Sequence, residues 1–196
     1  MSKIDDSAMR QLFQDARTFS YWQEDKRISD ELLHELHELL ALPPTSANCS
    51  PGRFVFIRSL EAKARLKPAL MEGNADKTMK APVTAIIAYD MRFLDHLPQL
   101  YPPTDAKSWF EGNEPLIKET AFRNGTLQGA YLIMAARSLG LDCGPMSGFD
   151  QDLVDKEFFS GTTFRSNFLC NLGYGNRDKV YPRSPRFNFD EVCQIL

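Results

Sequence analysis

Arg17 and Thr18 are the first residues whose types and spacing suggest chemistry. A guanidinium beside a hydroxyl can hold phosphate oxygens through paired hydrogen bonds, which predicts an anion site. The alternative is an ordinary solvated helix end, since residues 5–19 show the apolar spacing of a helix. Arg183 and Arg186 lie on a proline-stiffened segment and can supply similar contacts, although surface segments also carry such pairs by chance.

Residues 144–149 (GPMSGF) are the second candidate for chemistry. Two glycines and a proline within six residues predict a tight loop that exposes its backbone N–H groups. Because this loop follows a long helix almost directly, we expect it to carry functional contacts of the protein.

Neither a metal site nor a catalytic nucleophile stands out. His34 and His37 point away from the leucines of their helix, and their spacing is not that of the His-Glu-x-x-His zinc motif. Cys49 has no histidine near it in sequence, which favours a small buried side chain over a nucleophile. No acid–base pair is apparent, and a bound cofactor that carries the reactivity would account for this.

A long central helix must position the loop at residues 144–149. The second half of the helix is apolar on nearly all sides, so neighbours must cover every face. Ala121, Gly125 and Gly129 are spaced by four and form a stripe where another backbone can approach closely. Each glycine costs about 1 kcal/mol in a helix, so the stripe needs a packing reason, and we expect a dimer interface there. Gly140 is the expected end of the helix.

The other elements are predicted from apolar periodicity and turn residues. Further helices are expected between Ser29 and Pro43 and over residues 60–71, the latter ended by Glu72-Gly73-Asn74. Strands are expected over residues 53–58, 83–89 and 168–172. Residues 90–113 show no clear periodicity and are interpreted as a lid over a substrate pocket.

Composition is that of an ordinary globular domain spanning residues 1–196, with 43% hydrophobic and 25% charged residues. A net charge of −3, with scattered lysines and arginines, argues against a nucleic-acid partner. No apolar run approaches the ~18–20 residues of a membrane span, and no signal peptide is apparent. Four widely separated cysteines suit reduced thiols, so we expect a cytoplasmic protein.

The motifs LPPTSANCSP and GLDCGPMSGFD resemble those of nitroreductase-like flavoenzymes, and the similarity covers nearly the whole chain. They look most like the malonic semialdehyde reductases of pyrimidine degradation. The resemblance implies an α+β fold with a central, mostly antiparallel sheet surrounded by helices, assembled as an intertwined homodimer. It also implies FMN as cofactor and NADH or NADPH as hydride donor.

The same resemblance assigns roles to individual residues. Arg17, Thr18, Arg183 and Arg186 would bind the FMN phosphate, and Asn74 would bind the polar edge of the flavin. The backbone at Ser147 and Gly148, with Pro145 and Met146 beside it, would face the flavin N5. Pro44, Thr45, Ser46 and Asn48 would reach the flavin of the other subunit. Relatives carry a base where this chain has Ser20, and an amide that closes a turn is the alternative for Asn74.

The implied reaction is ping-pong hydride transfer through the flavin N5, reducing malonic semialdehyde to 3-hydroxypropionate. A broad-specificity nitroreductase or quinone reductase is the first alternative, and a flavin-binding or interaction module without turnover is the second. No side chain is assigned as catalytic, because the flavin carries the chemistry. A small-molecule substrate is expected, and no metal, nucleic acid or membrane partner.

Overall fold

The computed structural model describes residues 2–196 and contains one four-stranded sheet with helices on both faces. The strands are β1 (Gly52–Ile57), β2 (Val83–Asp90), β3 (Asp142–Met146) and β4 (Phe164–Gly173), in the spatial order β1-β2-β4-β3. All pairings between them are antiparallel, which confirms the expected α+β fold. The helices are α1 (Asp6–Met9), α2 (Asp30–Leu40), α3 (Leu60–Leu66), α4 (Glu72–Lys80), α5 (Leu97–Leu100), α6 (Glu114–Ser138), α7 (Gln151–Phe158) and α8 (Phe189–Val192).

The core lies on both sides of β2, whose eight residues are all buried. Ala85 and Ile87 pack with residues of α2 and α6, whereas Ile86 and Ala88 pack with residues of α3 and α7. This alternation follows from the two-residue period of a strand and explains why the segment is apolar throughout. Within residues 2–196, no helix combines the length and hydropathy that crossing a membrane requires.

The small-residue stripe on α6 packs against the sheet of its own chain. A Cβ on Gly125 would lie 2.7 Å from Tyr89 Cβ, and a Cβ on Gly129 would lie 2.5 Å from the Phe168 ring. The expectation that this stripe forms a dimer interface is therefore wrong, because the close approach it permits is used within the chain. Gly140 follows the end of the helix with a φ of +77°, as predicted.

Two predicted helices have different bounds in the structure. The first ends early: α1 continues as a wider helical turn over Arg10–Gln14, and residues 17–19 are not helical. The helix predicted over residues 60–71 ends at Leu66, and the supposed break at residues 72–74 is the first turn of α4. This helix was not predicted because its N-cap is a methionine and its first turn contains a glycine, neither of which is typical of a helix start.

Residues 90–113 are anchored to the core by a few buried side chains, although most of the stretch is exposed. Phe93 and Phe110 are buried with their rings 5.0 Å apart, and Leu97 is buried beside them. The stretch has no periodicity because it consists of short helical turns. Trp109, which is 52% exposed, is among the many exposed residues of the stretch, and its role as a lid over a substrate pocket stays a prediction.

Lys63 on α3 is a charged residue in the core, with only 2% of its surface exposed. Its ammonium donates to the carbonyl of Thr78 at 2.6 Å and to that of Ala81, at the end of α4. The Thr78 carbonyl cannot be bonded by residue 82, which is a proline and has no N–H. Burial lowers the pKa of Lys63 to about 8.

We expect Lys63→Met to lower the free energy of unfolding by about 1–3 kcal/mol, because it leaves buried carbonyls without a donor. The loss should grow with pH. The folded-state pKa of Lys63 lies below the ordinary value of 10.5. Between these two pKa values the unfolded chain binds more protons than the folded one. The parent therefore gains stability over the variant as the pH rises through this range. Urea titrations of both proteins at about pH 7.5 and pH 9.5 measure the difference. A loss that shrinks at the higher pH would contradict the lowered pKa.

Candidate functional site

The loop that follows β3 carries free backbone donors. Met146 ends the strand with its side chain buried, whereas Pro145 and Ser147 on either side of it are exposed. The N–H groups of Ser147 and Gly148 have no hydrogen-bond acceptor among residues 2–196. The loop therefore offers two adjacent donors to a ligand.

Asn74 lies directly against this loop. Its Nδ2 donates to the carbonyl of Gly148 at 2.8 Å, and the N–H of Met71 donates to the same oxygen at 3.1 Å. A Cβ on residue 148 would lie 2.4 Å from Asn74 Nδ2, so this approach requires glycine. Asn74 belongs to the first turn of α4, and its role is thus not to close a turn.

Lys77 follows Asn74 by one helical turn and lies on the same side of α4. Its side chain is half-buried, and it pairs with no carboxylate of the described residues. The indole N–H of Trp22 donates to the Lys77 carbonyl at 3.0 Å, which brings the segment around Ser20 to this helix. Lys77 was not predicted from the sequence, although its spacing of three residues from Asn74 is that of neighbours on one helix face.

A buried polar network fixes α4 beneath the loop. Thr78 Oγ1 donates to Met146 Sδ at 3.5 Å and accepts from Asn171 Nδ2 at 3.3 Å. Thr84 Oγ1 in turn donates to Asn171 Oδ1 at 2.7 Å. All of these side chains are buried, and a satisfied network of this kind holds its members in one arrangement.

Thr18 lies beside the strand that leads into the loop. It forms a parallel bridge with Cys143, and the N–H of Phe19 donates to the Cys143 carbonyl at 3.0 Å. The first helix must end before Thr18 because this segment is held extended along β3.

The predicted phosphate ligands are only partly assembled. Arg17 donates to the Tyr181 carbonyl, and Arg183 donates to the carbonyl of Ala16 at 2.9 Å, so Arg17, Thr18 and Arg183 come together. Arg186 bonds only carbonyls of its own segment, at Ser184 and Pro185. No carboxylate of the described residues pairs with any of these arginines, which leaves their charge available to an anion.

The polar loop at residues 44–50 lies elsewhere, against α6 and α5. Asn124 Oδ1 accepts from the Ser46 N–H at 2.8 Å, and Asn48 Nδ2 donates to the Leu100 carbonyl at 2.7 Å. In the part of the chain that the structure describes, no hydrogen bond joins this loop to residues 145–148. The predicted flavin contacts Pro44, Thr45, Ser46 and Asn48 thus form a second group, apart from the first.

The backbone of this loop is strained. Ala47 and Asn48 both have φ of +48°, and Ser50 has φ of +36°, a region that non-glycine residues rarely adopt. Cys49 lies between them, fully buried, and burial raises the pKa of its thiol to about 11. The thiol therefore stays protonated, which fits a packing role and not that of a nucleophile.

Together these residues suit a cofactor with a polar edge and a phosphate. They supply two free N–H donors, an amide, a half-buried ammonium and unpaired guanidinium groups. The described residues contain no cluster of three histidine, cysteine or acidic side chains placed to hold a metal ion. The arrangement can bind and orient a reactive group, and the reactivity must come from that group.

The chain is similar to known proteins over nearly its whole length. The model of the nitroreductase family matches residues 16–174. A Burkholderia lata protein with the assigned name NADH dehydrogenase/NAD(P)H nitroreductase is 62% identical over 195 residues, covering 100% of both chains. Among solved structures, a Bacillus subtilis nitroreductase has a TM-score of 0.90 at 21% identity, covering 98% of this chain and 100% of its own. A nitroreductase from Exiguobacterium sibiricum, solved in complex with FMN, has a TM-score of 0.86 at 21% identity over 100% of both chains.

Proposed function

The chain belongs to the nitroreductase family of NAD(P)H-dependent flavin oxidoreductases, and we propose that it uses FMN to reduce malonic semialdehyde. The observation that carries the use of FMN is the pair of free N–H groups at Ser147 and Gly148, held against Asn74. Bound FMN would supply the hydride-transfer chemistry between NADH or NADPH and the second substrate. The residues of the chain bind and orient this cofactor.

The free donors of the loop fit the unprotonated N5 of oxidised flavin, and Asn74 fits the polar edge of the ring. Arg17, Thr18 and Arg183 supply charge-assisted hydrogen bonds for the phosphate. We include Arg186 in this phosphate site, because its guanidinium is exposed and bonds only carbonyls of its own segment.

We further propose that Lys77 supplies the cation that relatives place at the position of Ser20. The Trp22 indole N–H bonds the Lys77 carbonyl, which brings the segment that contains Ser20 to the helix that carries Lys77. A half-buried ammonium on this side of α4 would favour negative charge on the polar edge of a bound flavin.

Lys77→Met is expected to weaken FMN binding about tenfold, the effect of losing one charge-assisted hydrogen bond in a half-buried place. The matched control is Lys80→Met on the same helix, since Lys80 is exposed and pairs with Asp76 at 2.9 Å. FMN fluorescence titration of both apoproteins gives the dissociation constants. Equal binding by the two variants would place Lys77 outside the flavin site.

We propose that the protein acts as a homodimer. The loop at residues 44–48 lies apart from the residues of its own chain that are assigned to the flavin. This separation is expected if the loop contacts the flavin of a partner. The outer face of α6 also carries exposed apolar side chains around a shallow hollow, with Phe122 49% and Leu127 41% exposed. An apolar patch of this kind on a helix favours a protein partner.

Malonic semialdehyde is the proposed acceptor because LPPTSANCSP and GPMSGFD look most like the reductases of that aldehyde. The test is anaerobic steady-state kinetics of the FMN-loaded protein with NADH and NADPH. We expect kcat/KM for malonic semialdehyde to exceed that for a nitroaromatic or a quinone by about tenfold or more. The reverse order would favour a broad nitro- or quinone reductase. A yellow protein that oxidises neither nucleotide would favour a flavin-binding module without turnover.

A further inference from the structure

Met71 is the most open methionine in the described part of the chain. Six of the seven methionines belong to residues 2–196, and Met71 is the only exposed one among them, with 61% of its surface open. The other five are half-buried or buried. An oxidant in solution reaches an exposed thioether before a covered one, so Met71 is the expected first target.

The backbone around Met71 is tied to the loop that follows β3. The N–H of Met71 donates to the Gly148 carbonyl at 3.1 Å, and the Met71 carbonyl accepts from the N–H of Asn74 at 2.8 Å. Leu70, one residue earlier, forms an antiparallel bridge with Phe149. Met71 therefore has a fixed place at the start of α4, beside residues that are assigned to the flavin.

The thioether itself lies against Gly148. A Cβ on residue 148 would lie 3.3 Å from Met71 Sδ and 2.4 Å from Asn74 Nδ2. Both groups therefore border the loop where the N–H groups of Ser147 and Gly148 find no acceptor in the described chain. An oxygen atom on this sulfur would bring an acceptor to those donors, at a place where only glycine leaves room.

A second methionine beside the same loop has the opposite environment. Met146 is only 8% exposed and packs in the core with Ile86 and Leu169. Its Sδ accepts from Thr78 Oγ1 at 3.5 Å, so the sulfur is both covered and bonded. An oxygen atom on Met146 would have to displace buried neighbours. Met146 is thus an internal reference, because the two sulfurs lie by one loop and differ in exposure.

We propose that Met71 is an oxidation site, where hydrogen peroxide forms a sulfoxide that weakens FMN binding; the effect on binding rests on the proposed function. Peroxide transfers one oxygen atom to the thioether. A sulfur–oxygen bond forms, the oxygen–oxygen bond of the peroxide breaks, the sulfur loses two electrons, and the remaining oxygen leaves as water. The product is a polar side chain in place of a flexible apolar one, and methionine sulfoxide reductases reverse the change.

The weaker binding has a physical cause in the loop. The sulfoxide oxygen would compete with FMN for the free N–H groups of Ser147 and Gly148, and its bulk would press on the Asn74 amide. Loss of one hydrogen bond between loop and ligand corresponds to a rise of about tenfold in the dissociation constant.

The first measurement is a peptide map of the full-length protein with Cys193→Ser, a change that removes the exposed thiol as a competing target. Mass spectrometry follows sulfoxide formation at each methionine during treatment with millimolar hydrogen peroxide. We expect Met71 to be oxidised at least about tenfold faster than Met146. Equal rates at the two residues would overturn the proposal, because oxidation would then follow unfolding and not exposure.

The second measurement is FMN fluorescence titration of the apoprotein before and after peroxide, expressed as the ratio of the two dissociation constants. We expect a ratio of about ten in the Cys193→Ser background and about one when Met71→Leu removes the thioether. Met79→Leu is the matched control, since it removes a half-buried methionine from the same helix and should keep the ratio of about ten. Sulfoxide reductases for both epimers, supplied with a dithiol, should restore the affinity.

Met71→Gln tests a polar group at this place without an oxidant. Glutamine carries an amide oxygen on a chain of similar length, so this variant should bind FMN about tenfold more weakly than Met71→Leu. Equal affinities of these two variants, or equal peroxide ratios for Met71→Leu and Met79→Leu, would overturn the proposal. If no preparation bound FMN, the proposed function would fail and the effect on binding with it. The peptide map would still decide separately whether Met71 is an oxidation site.

Discussion

Arg183→Ala is expected to raise the dissociation constant of FMN about thirtyfold, which corresponds to ~2 kcal/mol. A phosphate needs charge-assisted partners, and loss of one partner of a buried pair costs about 3–5 kcal/mol, reduced here by partial exposure. The structure adds a second reason. Arg183 also donates to the Gln14 carbonyl at 2.7 Å and to the Ala16 carbonyl at 2.9 Å. Its loss would release the segment after Arg183 from its place beside Arg17 and Thr18.

The measurement is FMN fluorescence titration of apoprotein at fixed ionic strength. Arg183→Lys should recover only part of the affinity, because a point charge cannot reproduce the planar fork of a guanidinium. Arg165→Ala is a matched control, since Arg165 is also exposed but faces Asp155, at 4.0 Å. We expect Arg186→Ala to weaken binding as well. If Arg183→Ala and Arg186→Ala both bound FMN as tightly as the control, the phosphate would have to be held elsewhere.

Gly148→Ala is expected to weaken FMN binding by about tenfold or more while the protein stays folded. The new Cβ would meet Asn74 Nδ2 at 2.4 Å and Met71 Sδ at 3.3 Å. Asn74 would have to turn away, losing its bond to the Gly148 carbonyl, and the adjacent free donors would shift with the loop. Overpacking of this kind costs about 1–3 kcal/mol of stability, which urea titration would detect.

The control for this variant is Gly73→Ala on α4, where a Cβ meets nothing within 4 Å. It should leave FMN affinity unchanged, and it should raise stability by up to about 1 kcal/mol because alanine is the better helix former. An additional Asn74→Ala change removes the clash. If Gly148→Ala lost as much affinity in that background as in the parent, the effect would not act through Asn74.

The sequence was sufficient to predict the elements whose patterns are local. The apolar run of β2 and the end of α6 at Gly140 are both found, whereas the antiparallel arrangement of the sheet was implied by the family resemblance. The prediction that Gly125 and Gly129 form a dimer interface was wrong because their spacing does not identify the neighbour. Their spacing indicates that something approaches α6 closely, but it cannot say whether that neighbour is a partner or, as here, Tyr89 and Phe168 of the same chain.

The site was harder to predict because it joins distant segments. Asn74 and Gly148 meet only through the packing of α4 on β3, and no local pattern places Arg183 beside Ala16. Resemblance supplied these residues as candidates. Lys77 was missed because the first turn of α4 was interpreted as a break, which removed the helical spacing that links it to Asn74.

The position of β4 in the sheet has a consequence for synthesis of the protein. β4 is an interior strand, yet it is synthesised late, after more than 160 residues of the chain. Until then β2, whose eight residues are all buried in the finished fold, can pair only with β1 and keeps one edge open. Open apolar edges recruit other chains. We therefore expect nascent chains that end before Phe164 to depend on chaperones. Fragments that end before Phe164 should aggregate when they are expressed alone.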